Sequence, residues 1–214
     1  VKKQQHFSLS PALAFPKERA DGSINTFLES ASRSFKDPCF FGSPIFNVDD
    51  FVIVDRRLSF RSEIETEVTN NNTVTVDITR GRRPERAIIL LHHWNAVNRS
   101  SGLASFLARS GASVFDIALP YHFERARPGS HYADYMLSAD LGRTILSFRQ
   151  AVLDARKLVR WLDQSGFEEI SIVGMSLGSW VAGLTAAHEP RISNASLLLS
   201  SDSLAEMVWT GRAT

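Results

Sequence analysis

The chain has 214 residues, 43% hydrophobic and 22% charged, which is the composition of a folded globular domain and not of a disordered or fibrous chain. Its 24 Lys and Arg against 23 Asp and Glu leave a formal charge of +1, so no overall field favours nucleic acid or an anionic membrane as a partner. No apolar run reaches the roughly 20 residues that a membrane-spanning helix needs. The one cysteine, Cys39, excludes an intrachain disulfide and fits a reducing compartment, which slightly favours a cytoplasmic location.

The first 48 residues contain scattered Pro and Ser and lack the regular hydrophobic pattern of the residues that follow. Apolar residues at helical spacing in 24–35 predict one helix, and the Pro and Gly residues after it predict irregular chain. We therefore predict an N-terminal helical and irregular extension, 1–48, and one further domain, 49–214. Because the chain begins at Val1 and not at Met, we expect its native start to have been trimmed. Four phenylalanines of the extension are expected to pack on the sheet rather than form an interaction surface: Phe35, Phe40, Phe41 and Phe46.

Strand patterns of two kinds follow the extension. Short apolar segments at 51–54 and 58–60, and the β-branched alternation of 73–79, predict antiparallel strands. Later strands are uniformly apolar, as strands buried on both faces of a parallel sheet are, and they alternate with helical patterns. These strands are predicted at 87–91, 112–119, 169–173 and 195–199, with helices after Ser100, at 141–162 and at 180–184. The alternation predicts the α/β class, with a mostly parallel sheet, helices on both faces and antiparallel first strands.

The sequence Gly174-Met175-Ser176-Leu177-Gly178 lies directly between a predicted strand and a predicted helix. A residue on so sharp a strand-to-helix turn is strained, and small neighbours two positions away on each side relieve the clash. The turn would lift the Ser176 hydroxyl above the sheet, while the helix N-terminus directs free N–H groups at a developing anion. Ser176 is thus the candidate nucleophile and the Leu177 N–H the first candidate oxyanion donor. The alternative is a tight turn whose serine caps the helix.

Over residues 50–201 this arrangement resembles the α/β-hydrolase superfamily, whose nucleophile occupies such a turn. The segment His92-His93-Trp94-Asn95 stands after the strand 87–91, where the family commonly has a His-Gly pair and then the second oxyanion donor. The resemblance implies that the Trp94 N–H is this donor. The sequence departs from the family pattern at His93, where glycine is usual, and this narrows the approach to the oxyanion.

The six histidines give no sign of a metal site, because no pair has the i, i+4 spacing of helical ligands and no carboxylate cluster accompanies them. No cofactor is expected. His92 and His93 either bond to loop backbone or act near the site, and neither is proposed as the base. His122 and His131 flank the basic stretch 125–127 and are expected to lie in a solvated loop.

The catalytic acid and base are harder to find. The superfamily order is Ser, then an acid, then His, and after Ser176 the chain offers Glu189, Asp202 and Glu206 as acids and His188 as the only histidine. His188 lies roughly 18 Å along the helix that leaves the serine, too far to be the base. Asp202 is the acid in a suitable place, directly after the last strand. We expect the base to lie in a missing segment beyond Thr214, and we expect a missing segment or a second chain to cover the apolar edge strand at 195–199.

The leading hypothesis is a serine hydrolase that acts on a carboxylic ester or thioester, small-molecule or lipid, through an acyl-enzyme on Ser176. One alternative is a non-catalytic protein of the same fold that binds a ligand or partner. A second is an acyltransferase whose acceptor is not water. The segment 121–140 either forms a cap over the pocket or is an ordinary long loop.

Overall fold

The computed structural model describes residues 7–16, 22–42 and 44–203. Both ends of the chain, 1–6 and 204–214 with Glu206, lie outside the described residues. The helices are α1 Pro11–Ala14, α2 Ile24–Lys36, α3 Ser101–Ala108, α4 Leu141–Gln164 and α5 Leu177–His188. The strands are β1 Val52–Val54, β2 Arg57–Arg61, β3 Thr73–Thr79, β4 Arg86–Leu91, β5 Ser113–Ile117, β6 Glu169–Met175 and β7 Ile192–Leu198.

The described strands form one seven-stranded sheet in the order β1-β2-β3-β5-β4-β6-β7. The pairs from β1 to β5 are antiparallel, and the pairs that join β5, β4, β6 and β7 are parallel. The predicted α/β class with antiparallel first strands is therefore confirmed. Because β4 lies between β5 and β6, its carboxyl end is flanked by two other parallel strands, and this is where α/β sheets place ligands.

Helices cover both faces of the central strands, since successive side chains of β4 pack into cores on opposite faces of the sheet. Ile89 and Leu91 face the large core beneath α4 and α5, whereas Leu90 faces a smaller cluster with Ala104 of α3. All three β4 side chains are fully buried. A strand covered on both faces must be apolar at consecutive positions, which is why the uniformly apolar sequence predicted it correctly.

The extension packs on the body of the molecule. Phe40 and Phe41 are buried, with the Phe40 carbonyl accepting from Arg149 of α4 over 2.7 Å and the Phe41 ring 5.0 Å from the His188 ring of α5. These two residues are buried as expected, but the contacts place them against α4 and α5, so the expected position on the sheet was wrong. Phe35 is 61% exposed, so the expectation was wrong there.

The strand β7 is an exposed sheet edge in the described part of the chain. It pairs with β6, and Leu197 and Leu198 remain 44% and 42% exposed. Unpaired, apolar edge strands invite further strand pairing, and native proteins normally cover them. What covers this edge stays a prediction.

No described helix combines the length and the apolar character needed to cross a membrane.

Candidate active site

A sharp turn joins β6 to α5, and Ser176 stands at its apex with φ 51° and ψ −115°. A Cβ on Gly174 would come within 2.2 Å of the Gly178 carbonyl oxygen, and a Cβ on Gly178 within 2.4 Å of the Leu91 carbonyl oxygen. Real side chains do not make such approaches, so both positions require glycine. The turn brings the start of α5 into backbone contact with the end of β4.

The Ser176 side chain is not used by the helix that follows it. Ser176 occupies the N-cap position, yet its hydroxyl makes no capping hydrogen bond. Its backbone is held instead, since its N–H donates to the Leu198 carbonyl over 2.9 Å and its carbonyl accepts from the Ser179 N–H over 2.8 Å. The alternative of a capping serine is therefore wrong for this turn. Ser176 is half-buried, and its hydroxyl makes no hydrogen bond among the described residues.

The backbone N–H groups of Leu177 and Trp94, the two predicted oxyanion donors, make no hydrogen bond among the described residues. Leu177 is the first residue of α5, and helix N-termini present such free N–H groups to anions. Trp94 follows the end of β4 by three residues, close to the point where Gly178 meets the carbonyls of Leu91 and His92. The two segments that carry the predicted oxyanion donors are thus adjacent.

His92 is fully buried and bonds to backbone at both ring nitrogens. The Leu119 N–H donates to its Nε2 over 3.1 Å, so its Nδ1 carries the proton and donates to the His93 carbonyl over 2.8 Å. Burial holds the pKa of His92 well below its ordinary value, and the neighbouring His122 adds to this effect. Of the two sequence interpretations for His92, bonding to loop backbone is the confirmed one.

His122 repeats this arrangement on the adjacent loop. The Asn95 N–H donates to its Nε2 over 3.1 Å, and its Nδ1 donates to the Pro120 carbonyl over 2.8 Å. Burial lowers the pKa of His122 to about 4. Its ring meets that of His92 edge to face, with centroids 4.6 Å apart. The expectation of a solvated loop was wrong for His122, which is 2% exposed, because hydrogen-bond partners distant in sequence satisfy both ring nitrogens.

No described histidine hydrogen-bonds to the Ser176 hydroxyl. His92 and His122 have no free ring nitrogen, and His93, His131 and His188 are exposed. His188 ends the 12-residue helix that begins next to the serine, at the far end of α5 as predicted. The base predicted for the site is therefore not assigned to a described residue.

Asp202 lies at the same end of the sheet as Ser176. The indole of Trp180, in the first turns of α5, donates to the Ser201 carbonyl over 2.9 Å and so holds the segment after β7 beside this helix. The Asp202 carboxylate is exposed and accepts one long hydrogen bond, from the Ser201 hydroxyl at 3.4 Å. Its role as the acid stays a prediction, since no described histidine contacts it.

The loop after β5 is fastened by a buried ion pair that sequence reasoning missed. Arg125, expected in a solvated stretch, is fully buried and donates to Asp154 of α4 over 2.8 Å. Its other guanidinium N–H groups donate to the carbonyls of Asn71 and Ala118. Asp154 also accepts from the Ser62 hydroxyl over 2.8 Å. Composition cannot distinguish such an arginine from a surface one, because only the partners make burial tolerable.

Two side chains of the segment 121–140 are buried in the body of the molecule. Tyr121 and Met136 are buried, whereas Tyr132 is 68% exposed. Tyr135 lies beneath the Arg143 guanidinium, 4.1 Å from its ring centre. A role for this segment in covering substrate stays a prediction.

Among the described residues, no group of three or more His, Cys, Asp or Glu side chains could hold a metal ion.

Comparison with known proteins agrees with this architecture. Residues 111–211 match a family model described as alpha/beta hydrolase domain containing 18. A crystal structure from Bacteroides fragilis NCTC 9343, assigned as an acetyl xylan esterase, superimposes with a TM-score of 0.55 at 15% identity, covering 88% of this chain and 56% of that one. At this identity the likeness shows the fold alone.

Two further esterases are similar at lower TM-scores. A cold-adapted esterase from an Arctic intertidal metagenomic library gives a TM-score of 0.46 at 17% identity, over 71% of this chain and 64% of that one. A thermostable carboxyl esterase from Bacillus coagulans gives 0.47 at 17% identity, over 67% and 44%. The chain thus spans less than two thirds of the length of each of these three proteins. No curated protein matches the chain in sequence.

Proposed function

We propose that this chain, which has the α/β-hydrolase fold, is a serine hydrolase that cleaves a carboxylic ester or thioester through an acyl-enzyme on Ser176. The observation that carries the proposal is the turn itself. Ser176 is held at a φ of 51° between two glycines that admit no side chain, and its hydroxyl caps no helix. A strained backbone that frees a hydroxyl has no use in packing, and such strain concentrates at reactive residues.

In the proposed reaction the Ser176 oxygen attacks the substrate carbonyl carbon, and the carbonyl electron pair moves onto oxygen. The Leu177 and Trp94 N–H groups hold this oxyanion. When the carbonyl re-forms, the alcohol or thiol leaves and the acyl group stays on Ser176; water then attacks this ester and releases the acid. The serine proton must pass to a base and from it to the leaving group.

We further propose that this base is a histidine outside the described residues, either on another segment or on a second chain. His92 and His122 already use both ring nitrogens in hydrogen bonds to backbone, and no described histidine is hydrogen-bonded to Ser176. The exposed edge at β7, which the Ser176 N–H contacts through Leu198, is where an added element would approach the serine. Asp202 would be the acid that orients this histidine.

The test is reaction of the full-length protein with a fluorophosphonate probe, followed by intact-mass measurement. We expect one adduct in the wild-type protein, none in Ser176→Ala and an unchanged adduct in Ser200→Ala, a matched exposed serine two residues beyond β7. Retention of the adduct in Ser176→Ala, or its absence from folded wild-type protein, would contradict the proposal.

One observation favours a second candidate function. A protein of this fold that binds a ligand or partner without catalysis would need no base, and no described histidine is bonded to Ser176. A folded wild-type protein that forms no adduct but binds an ester or its product would support this second function.

A further inference from the structure

We propose that His92 and His122 are positioning residues, which orient the Trp94 N–H by holding the peptide groups on either side of Trp94. The inference rests on the proposed function, in which this N–H stabilises the oxyanion. Neither histidine touches the reacting atoms in this scheme. Each acts through the backbone that it holds.

His92 acts on the peptide group that carries the donor. The Trp94 N–H and the His93 carbonyl belong to one planar unit, and the described residues contain no cis peptide bond. His92 donates to this carbonyl over 2.8 Å and is itself anchored by the Leu119 N–H over 3.1 Å. In a trans unit the N–H points opposite to the C=O. The bond from His92 therefore sets the direction in which the Trp94 N–H points.

His122 acts on the next peptide group, which joins Trp94 to Asn95. The Asn95 N–H donates to His122 Nε2 over 3.1 Å, and the Pro120 carbonyl anchors the ring at the other nitrogen. Asn95 has a φ of 54°, a conformation that needs support from its surroundings. Further support comes from Ala133, whose N–H donates to Asn95 Oδ1 over 2.8 Å and whose carbonyl accepts from the Trp94 indole over 3.1 Å.

A neutral imidazole suits both positions because it offers one donor and one acceptor in a rigid ring. Protonation would turn each Nε2 into a donor that faces another N–H group, from Leu119 in one case and Asn95 in the other. The edge-to-face contact of the two rings, both 2% exposed or less, keeps them in an environment that disfavours the charged form. The two histidines thereby join the segment 92–95 to the loop after β5 by hydrogen bonds whose donor and acceptor sides are fixed.

Amide side chains can replace the two ring nitrogens one at a time. Asn places its amide close to the position of Nδ1, and Gln places its amide close to that of Nε2. At position 92, Asn keeps the donor to the His93 carbonyl and Gln loses it. At position 122 the order is reversed, because Gln keeps the acceptor for the Asn95 N–H and Asn loses it. Each variant gives up one of two ring hydrogen bonds, so the members of a pair are matched in stability.

The experiment measures kcat and KM for 4-nitrophenyl butyrate in the four variants of the full-length protein, with melting temperatures. We expect kcat to fall about 10- to 100-fold in His92→Gln and His122→Asn with KM within about twofold, because a misdirected oxyanion donor weakens transition-state binding. His92→Asn and His122→Gln should keep kcat within about threefold of wild type.

The assignment would be overturned if the kcat values of the four variants follow their melting temperatures. It would also be overturned if the same amide, Asn or Gln, gives the higher kcat at both positions. If one pair does not fold, the other pair decides. A wild-type protein that neither hydrolyses the ester nor reacts with the fluorophosphonate overturns the proposed function, and the assignment with it. An active wild-type protein without the reversed order overturns only the assignment.

Discussion

The contact between Gly178 and the end of β4 leads to a quantitative prediction for the variant Gly178→Ala. The added methyl group would lie 2.4 Å from the Leu91 carbonyl oxygen and 2.6 Å from that of His92. Both obstacles are backbone atoms of the central strand or its extension, so no side chain can rotate away. Relief requires α5 or the end of β4 to move by about 1 Å, since ordinary contacts begin near 3.4 Å.

The cost follows from this geometry. Overpacking a rigid site typically costs about 1–3 kcal/mol, and a backbone obstacle places this variant at about 3 kcal/mol. Replacing glycine by alanine in a helix returns at most about 1 kcal/mol. We therefore expect the free energy of unfolding to fall by about 2 kcal/mol. For a chain of this size the melting temperature should drop by about 4–8 °C.

Gly183→Ala, in the same helix, is the matched control. Its added methyl group would meet only a Leu197 side-chain carbon, at 3.6 Å, which is ordinary contact. The helix gain is then unopposed, and stability should rise by up to about 1 kcal/mol. The assay is urea unfolding followed by tryptophan fluorescence, together with thermal melts. A Gly178→Ala protein as stable as the Gly183→Ala protein would refute the geometry of the turn.

Two further predictions concern buried polar groups. Arg125→Leu should lower the free energy of unfolding by about 3–5 kcal/mol, because it leaves the Asp154 carboxylate buried without its partner. The control is Arg127→Leu, which removes an exposed ion pair with Asp134 and should cost less than about 1 kcal/mol. Equal urea midpoints for the two variants would contradict the burial of the Arg125–Asp154 pair. The pKa of His122 is about 4, below the 6.5 of an ordinary histidine, so between these pH values the unfolded chain binds more protons than the folded one. The free energy of unfolding should therefore fall by up to about 3 kcal/mol as the pH drops from 6.5 to 4. Burial raises the pKa of Asp116 to about 6, which acts in the opposite sense over part of this range, so the histidine effect is measured as the difference between wild type and His122→Gln. Parallel pH profiles of melting temperature for the two proteins would contradict it.

Much of the fold was predictable because its signals are local. The consecutive apolar residues of 87–91 predicted a strand buried on both faces, and β4 lies between two parallel strands with a helix layer on each side. The turn around Ser176 was predictable for the same reason, since the glycines, the strand before it and the helix after it are neighbours in sequence. Periodicity reports which face of an element is buried, and that needs no long-range contact.

The polar interior was not predictable. His122 and Arg125 were expected in solvent, yet both are buried, with partners such as Asn95 and Asp154 that lie 27 and 29 positions away in sequence. A charged or polar side chain tolerates burial only where its hydrogen bonds are met, and nothing in its own neighbourhood announces those distant partners.

By itself, the sequence determined the α/β class, the antiparallel first strands and the strand-to-helix turn that presents Ser176, because hydrophobic period and glycine spacing act over a few residues. Only the tertiary structure decided that β4 lies between β5 and β6, that the segment carrying Trp94 meets the start of α5, and that two uncharged imidazoles hold this segment. These are contacts between residues far apart in the chain. They exist because the crossover of the sheet brings the carboxyl ends of its parallel strands to one edge.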